Sequence, residues 1–144
     1  MKRMLSIIIT GVLAGVFAFT GLTPASASTR SGALHLTKEC SQFHGQAGGF
    51  CTITTSNLKV IKPGSRVIYL KAAGATGLDT NIVLDTGHGN KAFGHVILNF
   101  TTGTGTVTLS GGTGKFEDFR ARAAVSFIGG VDWAWNGTYH FSDD

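Results

Sequence analysis

Eight short runs of strand-forming residues, separated by Gly, Asn, Asp or Ser, constrain the fold of this chain more than any other feature. Helical periodicity is almost absent, and the one Ala-rich stretch is interrupted by Gly74 and Gly77. Eight strands at this spacing predict an all-β barrel or sandwich. Eight is also the number at which a closed barrel is just filled by side chains or holds one small ligand. The runs cover residues 33–37, 50–57, 66–72, 80–85, 92–101, 105–110, 120–128 and 135–141.

The N-terminal segment, residues 1–27, is typical of a secretory signal peptide. It combines the basic pair Lys2 and Arg3, an apolar run over residues 5–19 and a small-residue site that ends at Ala27. The apolar run is too short for a membrane anchor, which needs roughly 20 apolar residues. We therefore expect a secreted, extracellular protein whose single domain, residues 28–144, has no membrane partner.

Composition excludes several protein classes. The chain contains 21 Gly among 144 residues, and Thr, Val and Ile are abundant, which favours short strands with tight turns over a coiled coil, a helical bundle or a disordered chain. Of the 12 Lys and Arg, Lys2 and Arg3 leave with the signal peptide, so ten basic residues remain against 8 acidic ones. The basic residues form no cluster, and we expect no nucleic-acid partner.

The two cysteines, Cys40 and Cys51, are the only ones in the sequence. In an exported chain the default interpretation of such a pair is a disulfide. A reactive thiol pair is the alternative, but the Cys-x-x-Cys spacing that tunes redox proteins is missing. We predict a structural Cys40–Cys51 bridge.

The last run alternates most clearly between two faces. Trp133, Trp135, Tyr139 and Phe141 fall on one face, and polar or small residues fall on the other. This aromatic face is expected to point into a barrel or against a partner subunit. In the other runs, periodicity alone does not tell which face would line the lumen.

The segment from Gly111 to Phe116, Gly-Gly-Thr-Gly-Lys-Phe, is the most specific motif in the chain. It resembles the Gly-Gly-x-Gly-x-Phe turn of dirigent proteins and allene oxide cyclases, and the similarity extends over residues 96–141. Those families share an eight-stranded antiparallel barrel and commonly assemble as trimers. The resemblance implies a member of this barrel family that forms a homotrimer or another homo-oligomer. The short basic leader and the Gly- and Thr-rich body are typical of a bacterial secreted protein.

The glycines of this turn have a structural explanation. Gly111, Gly112 and Gly114 supply backbone angles that other residues avoid, and Phe116 is expected to plug one end of the barrel. Glu117 stands where dirigent proteins usually have Arg, and Ala121 replaces their following Gly.

The catalytic positions of the related families cannot be aligned with the earlier strands of this chain. His35, Lys38 and Glu39 follow no family pattern there, so no catalytic residue is assigned and the catalytic residues stay unknown.

Two other chemistries are disfavoured. Residues 83–87, Val-Leu-Asp-Thr-Gly, match a string found in aspartic proteases, but Asp85 and Gly87 also suit an ordinary turn. The five histidines include no pair at i, i+2 or i, i+4, so a metal site would need ligands from distant strands, and we expect none.

The candidate ligand-binding residues are His95, Asn99, Arg120 and Tyr139. If they converge on the lumen, they could bind a polar group of a small, largely apolar molecule. By resemblance, the barrel would steer the cyclisation or coupling of that molecule without a cofactor. The alternative is a non-catalytic extracellular or envelope module whose barrel is packed shut, and whether the protein is an enzyme stays open.

Overall fold

The structure, a computed structural model, describes residues 30–142, and the expected signal peptide lies outside them. Nearly all of the regular structure in this range is β-strand, with a one-turn 3-10 helix at Gly114–Phe116. The strands are β1 (Arg30–Glu39), β2 (Phe50–Ser56), β3 (Arg66–Tyr69), β4 (Gly77–Asp85), β5 (Lys91–Asn99), β6 (Thr104–Thr113), β7 (Phe119–Gly129) and β8 (Asp132–Phe141).

Every strand pairs antiparallel with its neighbours in sequence, and β1 also pairs with β8. The β1–β8 ladder runs from Arg30 opposite Phe141 to Glu39 opposite Asp132 and closes the sheet into a barrel. A closed sheet has no unpaired edge strand that could recruit another chain. The prediction of an eight-stranded antiparallel barrel is confirmed. Within the described range, no helix is both long and apolar enough to cross a membrane.

Strand β6 is longer than the sequence pattern indicated, because the glycine-rich segment continues the ladder. Lys91 pairs with Thr113, and the register between β5 and β6 shifts between Ala92 and Gly94. Gly111 lies opposite this shift with a φ of 79°, and Gly114 begins the 3-10 helix with a φ of 59°. Both values lie in the region that glycine adopts without strain.

The aromatic face of β8 points into the barrel and forms much of the core. Trp135 is 1% exposed and lies opposite Val125 of β7. Ala121 and Ala123 occupy the inward positions of β7 opposite Tyr139 and Gly137. The small Ala121 therefore leaves room for the Tyr139 ring opposite it, as close packing requires.

One end of the barrel is sealed, and we call it the closed end. It is the end at which β1 begins and β8 finishes. Phe116 is fully buried there, with its ring 5.1 Å from that of Phe119, which in turn lies 4.8 Å from Phe141. Ile61, from the loop after β2, is also fully buried.

The opposite end, which we call the mouth, is where β1 finishes and β8 begins. A disulfide joins Cys40, just after β1, to Cys51 in β2, as predicted. Closing a loop of 11 residues removes unfolded-state entropy worth about 3 kcal/mol. The bridge anchors the loop at residues 41–49 beside the mouth.

Candidate binding site in the barrel mouth

Strand β1 places a lysine inside the barrel near the mouth. The inward positions of β1 are Leu34, Leu36 and Lys38, with exposures of 0%, 2% and 3%. The strand runs past the predicted run at 33–37, because its pairing with β8 continues through Lys38 opposite Trp133. The alternation that buries two leucines therefore also buries an amine.

The Lys38 amine has one hydrogen bond, to a buried phenol. Its Nζ donates to the Tyr69 hydroxyl over 2.9 Å. The Nζ also lies 5.2 Å from the Trp135 ring centroid and 5.9 Å from that of Trp133, distances at which a cation is weakly attracted. Among residues 30–142, the one ion pair involves His95, so no carboxylate in this range compensates a charge on Lys38.

Burial changes the protonation of both partners. Loss of water around Lys38 lowers its pKa from 10.5 to about 7, because the apolar lumen disfavours the ammonium form. Burial also raises the pKa of Tyr69, since the phenolate is disfavoured for the same reason. At neutral pH the site therefore combines a substantially neutral amine with a neutral phenol.

The disulfide and an aromatic ring hold Tyr69 in place. The Cys51 Sγ lies 3.4 Å from the Tyr69 hydroxyl oxygen. A disulfide sulfur carries no hydrogen, so in this contact the phenol donates and its oxygen stays available to accept from Lys38. The ring of Phe43 stacks on that of Tyr69 with centroids 4.5 Å apart.

Lys38 and Tyr69 line a cavity of about 540 Å³ that opens at the mouth. This volume lies within the range of about 300 to 1,000 Å³ that is usual for small-molecule sites. Within the described range, one further ionisable residue, His44, lines this cavity, and its side chain is exposed. Apolar side chains form most of the walls, among them Phe43, Leu78, Leu98, Phe127, Val131 and Trp133.

The four candidate ligand-binding residues do not converge on the lumen. His95 lies on the outer face of β5, where it hydrogen-bonds with Asn81 over 2.8 Å and with Asp79. Its neighbour Val96 takes the inward position and is 2% exposed. The alternation of β5 thus excludes His95 from the lumen.

Two of the other candidates have local structural roles. The Asn99 side chain accepts hydrogen bonds from the backbone amides of Thr101 and Thr102, so it caps the turn after β5. The Arg120 guanidinium is exposed and donates to the backbone carbonyl of Phe119.

Tyr139 is the one candidate on the inward face. It packs beside Phe141 at the closed end, with ring centroids 5.9 Å apart, and does not line the mouth cavity. A polar group held by all four candidates at once is therefore excluded by their positions.

The protease-like string forms a turn. The Asp85 carboxylate accepts a hydrogen bond from the Gly87 amide over 2.9 Å, which closes the loop between β4 and β5. In the described part of the chain, no group of three or more His, Cys, Asp or Glu side chains is placed to hold a metal ion.

The fold and the site together define a closed antiparallel barrel with one sealed end and an apolar mouth that contains a buried amine. Comparison of the chain with protein-family models, curated proteins and solved structures finds no significant match.

Proposed function

We propose that the protein binds a small, largely apolar molecule in the mouth of the barrel, with a polar group of that molecule directed at Lys38. The observation that carries this proposal is the combination of a 540 Å³ cavity, lined mostly by apolar residues, with a buried amine that has a single hydrogen-bond partner. A pocket with apolar walls and few, well-placed polar groups is the usual form of a small-molecule site.

Burial of Lys38 supports this proposal energetically. An amine that leaves water loses hydrogen bonds, and Tyr69 restores only one of them. A ligand oxygen beside the Nζ would provide a further acceptor while the rest of the ligand covers the apolar walls. The polar end of the site is then formed by Lys38 and Tyr69, in place of the four residues expected from the sequence.

The proposal extends to chemistry through the resemblance to allene oxide cyclases and dirigent proteins. A cavity that holds one conformer of a reactive molecule and excludes water can steer its cyclisation or coupling without a cofactor. The glycine-rich turn before β7 and the aromatic strand β8 are the features that support the resemblance.

The alternative function is a non-catalytic extracellular module. The aromatic side chains in the half of the lumen toward the closed end favour it, because Phe116, Phe119 and Trp135 are fully buried there. Ligand binding at the mouth distinguishes the two functions, since a module that acts only through its outer surface needs no occupied cavity.

Binding is tested with N-phenyl-1-naphthylamine, an uncharged probe whose fluorescence rises in apolar sites. We expect saturable binding by the mature protein and a loss of affinity of about 5- to 30-fold in Phe127→Ala, because that ring forms part of the cavity wall. Ile128→Ala is the matched control, since Ile128 is 55% exposed against 48% for Phe127 but does not line the cavity. Absence of saturable binding, or an equal loss in both variants, would contradict the proposal.

We further propose that the secreted protein forms a homo-oligomer, with the trimer as the expected state. Supporting this, Leu70, Phe93 and Ile97 are 49%, 43% and 57% exposed on the outer side of β3 to β5, an apolar area that further copies would cover. Native mass spectrometry of the protein from culture medium reports the N-terminus, the number of subunits and any retained small molecule. A ligand-free monomer that begins at Met1 would contradict both secretion and assembly.

A further inference from the structure

We propose that Lys38 is a nucleophile that forms a Schiff base with an aldehyde or ketone group of the apolar molecule in the mouth. This inference rests on the proposed function, because it names the chemical class of the ligand that the cavity would bind. It assigns to Lys38 a covalent role that a purely non-covalent binding site would not need.

The first argument is the position of the amine. Lys38 is 3% exposed and yet lines the mouth cavity, so its Nζ is shielded from bulk water but lies next to the space a ligand would fill. Lys59 and Lys115 border a different cavity, of about 390 Å³ near the closed end, but all five other lysines of the described chain are exposed. They are Lys59, Lys62, Lys71, Lys91 and Lys115.

The second argument is the charge around the amine. Of the described groups that face Lys38, β3 contributes the Tyr69 phenol, β2 the oxidised Cys51 and β8 the uncharged rings of Trp133 and Trp135. The loop beside the mouth contributes His44, which is exposed. No carboxylate among residues 30–142 lines the cavity, so no negative charge there offsets the loss of water around the ammonium form.

The third argument is reactivity at neutral pH. Only a neutral amine has the lone pair that attacks a carbonyl carbon, and a desolvated lysine is the usual Schiff-base residue. Burial lowers the pKa of Lys38 to about 7, so about half of the molecules would carry the reactive form at that pH. An exposed lysine, with a pKa of about 10.4, is neutral in fewer than about one molecule in a thousand.

Tyr69 is placed to move a proton during this step. The Lys38 lone pair attacks the carbonyl carbon, the carbonyl π electrons move to oxygen, and a proton passes from nitrogen to that oxygen to give a carbinolamine. The C–O bond then breaks and a C=N bond forms, so the carbonyl oxygen and two hydrogens of the amine leave as water. The Tyr69 hydroxyl, 2.9 Å from the Nζ, can relay these protons, and no oxidant or reductant is required.

The test uses 2-naphthaldehyde, which fits an apolar cavity, together with cyanoborohydride to trap the imine as a stable secondary amine. Intact mass and peptide mapping then give the labelling rate at each lysine of the mature protein. We expect Lys38 to be labelled at pH 7 at least about 30-fold faster than Lys91, with a rate that rises through a midpoint near pH 7. Lys38→Met should lose the fast label and Lys115→Met should keep it.

A parallel measurement separates this inference from the proposed function. 2-Naphthalenemethanol has the same ring system but cannot form an imine, and it should displace N-phenyl-1-naphthylamine from the mouth. Displacement without preferential labelling of Lys38 would overturn the Schiff-base role and leave the binding site intact. If neither displacement nor labelling is observed, both the Schiff-base role and the proposed binding function are wrong. Because the wild-type peptide map locates the label by itself, the result does not depend on the folding of Lys38→Met.

Discussion

The stability of the protein is expected to rise by about 3 kcal/mol between pH 7 and pH 9.5, and Lys38→Met is expected to lose most of this rise. A lysine in the unfolded chain titrates near 10.5, whereas burial lowers the pKa of Lys38 in the folded state to about 7. Between these values the unfolded state binds more protons, so raising the pH favours the folded state. The stabilisation is complete above the pKa of the unfolded chain, 10.5. It is lost as the pH falls from there through the folded-state pKa of Lys38, about 7.

Urea unfolding of the oxidised protein at pH values from 6 to 9.5 measures this effect. The upper limit keeps the experiment below the range in which Tyr69 contributes, because its raised pKa makes stability fall at more alkaline pH. Lys91→Met, at an exposed position, is the control and should keep the wild-type slope. If Lys38→Met keeps the slope as well, Lys38 is not the group that titrates, and the enclosed amine that underlies the binding proposal is refuted.

The strands of the barrel could be predicted from the sequence because their determinants are local. Turn residues at regular spacing separate the strands, and alternation in the last strand assigns Trp135 and Phe141 to one face. The structure places that face inside the barrel. Local patterns do not distinguish a barrel from a sandwich. That distinction depends on the pairing of β1 with β8, which lie about a hundred residues apart in sequence.

The candidate site was harder to predict for a physical reason. In β5 and β7 the sequence shows which residues share a face, but His95 and Arg120 could be assigned to the lumen or to solvent with equal justification. The structure shows that Val96 and Ala121 are the buried neighbours. Only the complete barrel, in which Ala121 lies opposite the Tyr139 ring and Val125 opposite Trp135, decides which side chains fit inside.

Lys38 did leave a signal in the sequence. It follows Leu34 and Leu36 at a spacing of two, so a strand extended by one residue places all three on the same face. The predicted run ends at residue 37 and assigns the lysine no role. The loop that carries Phe43 and His44 has no periodicity, so its position over the mouth could not be inferred from the sequence.

The closed end should contribute to stability without contributing to binding, and Phe116→Ala tests this separation. Phe116 is fully buried against Phe119, so we expect a loss of about 3 to 5 kcal/mol in unfolding free energy. Phe93→Ala is the matched control, because Phe93 is 43% exposed on the outer face and its truncation should cost about 1 kcal/mol or less. Urea unfolding at one pH measures both.

The same variants, titrated with N-phenyl-1-naphthylamine under conditions in which they stay folded, complete the test. Phe116→Ala should keep wild-type affinity, since its ring lies at the opposite end from the mouth cavity, whereas Phe127→Ala should lose affinity with a smaller effect on stability. A folded Phe116→Ala protein that no longer binds the probe would mean that the two ends are coupled through the packed aromatic core. The lumen would then act as one unit, and the separation of stability at the closed end from binding at the mouth would be wrong.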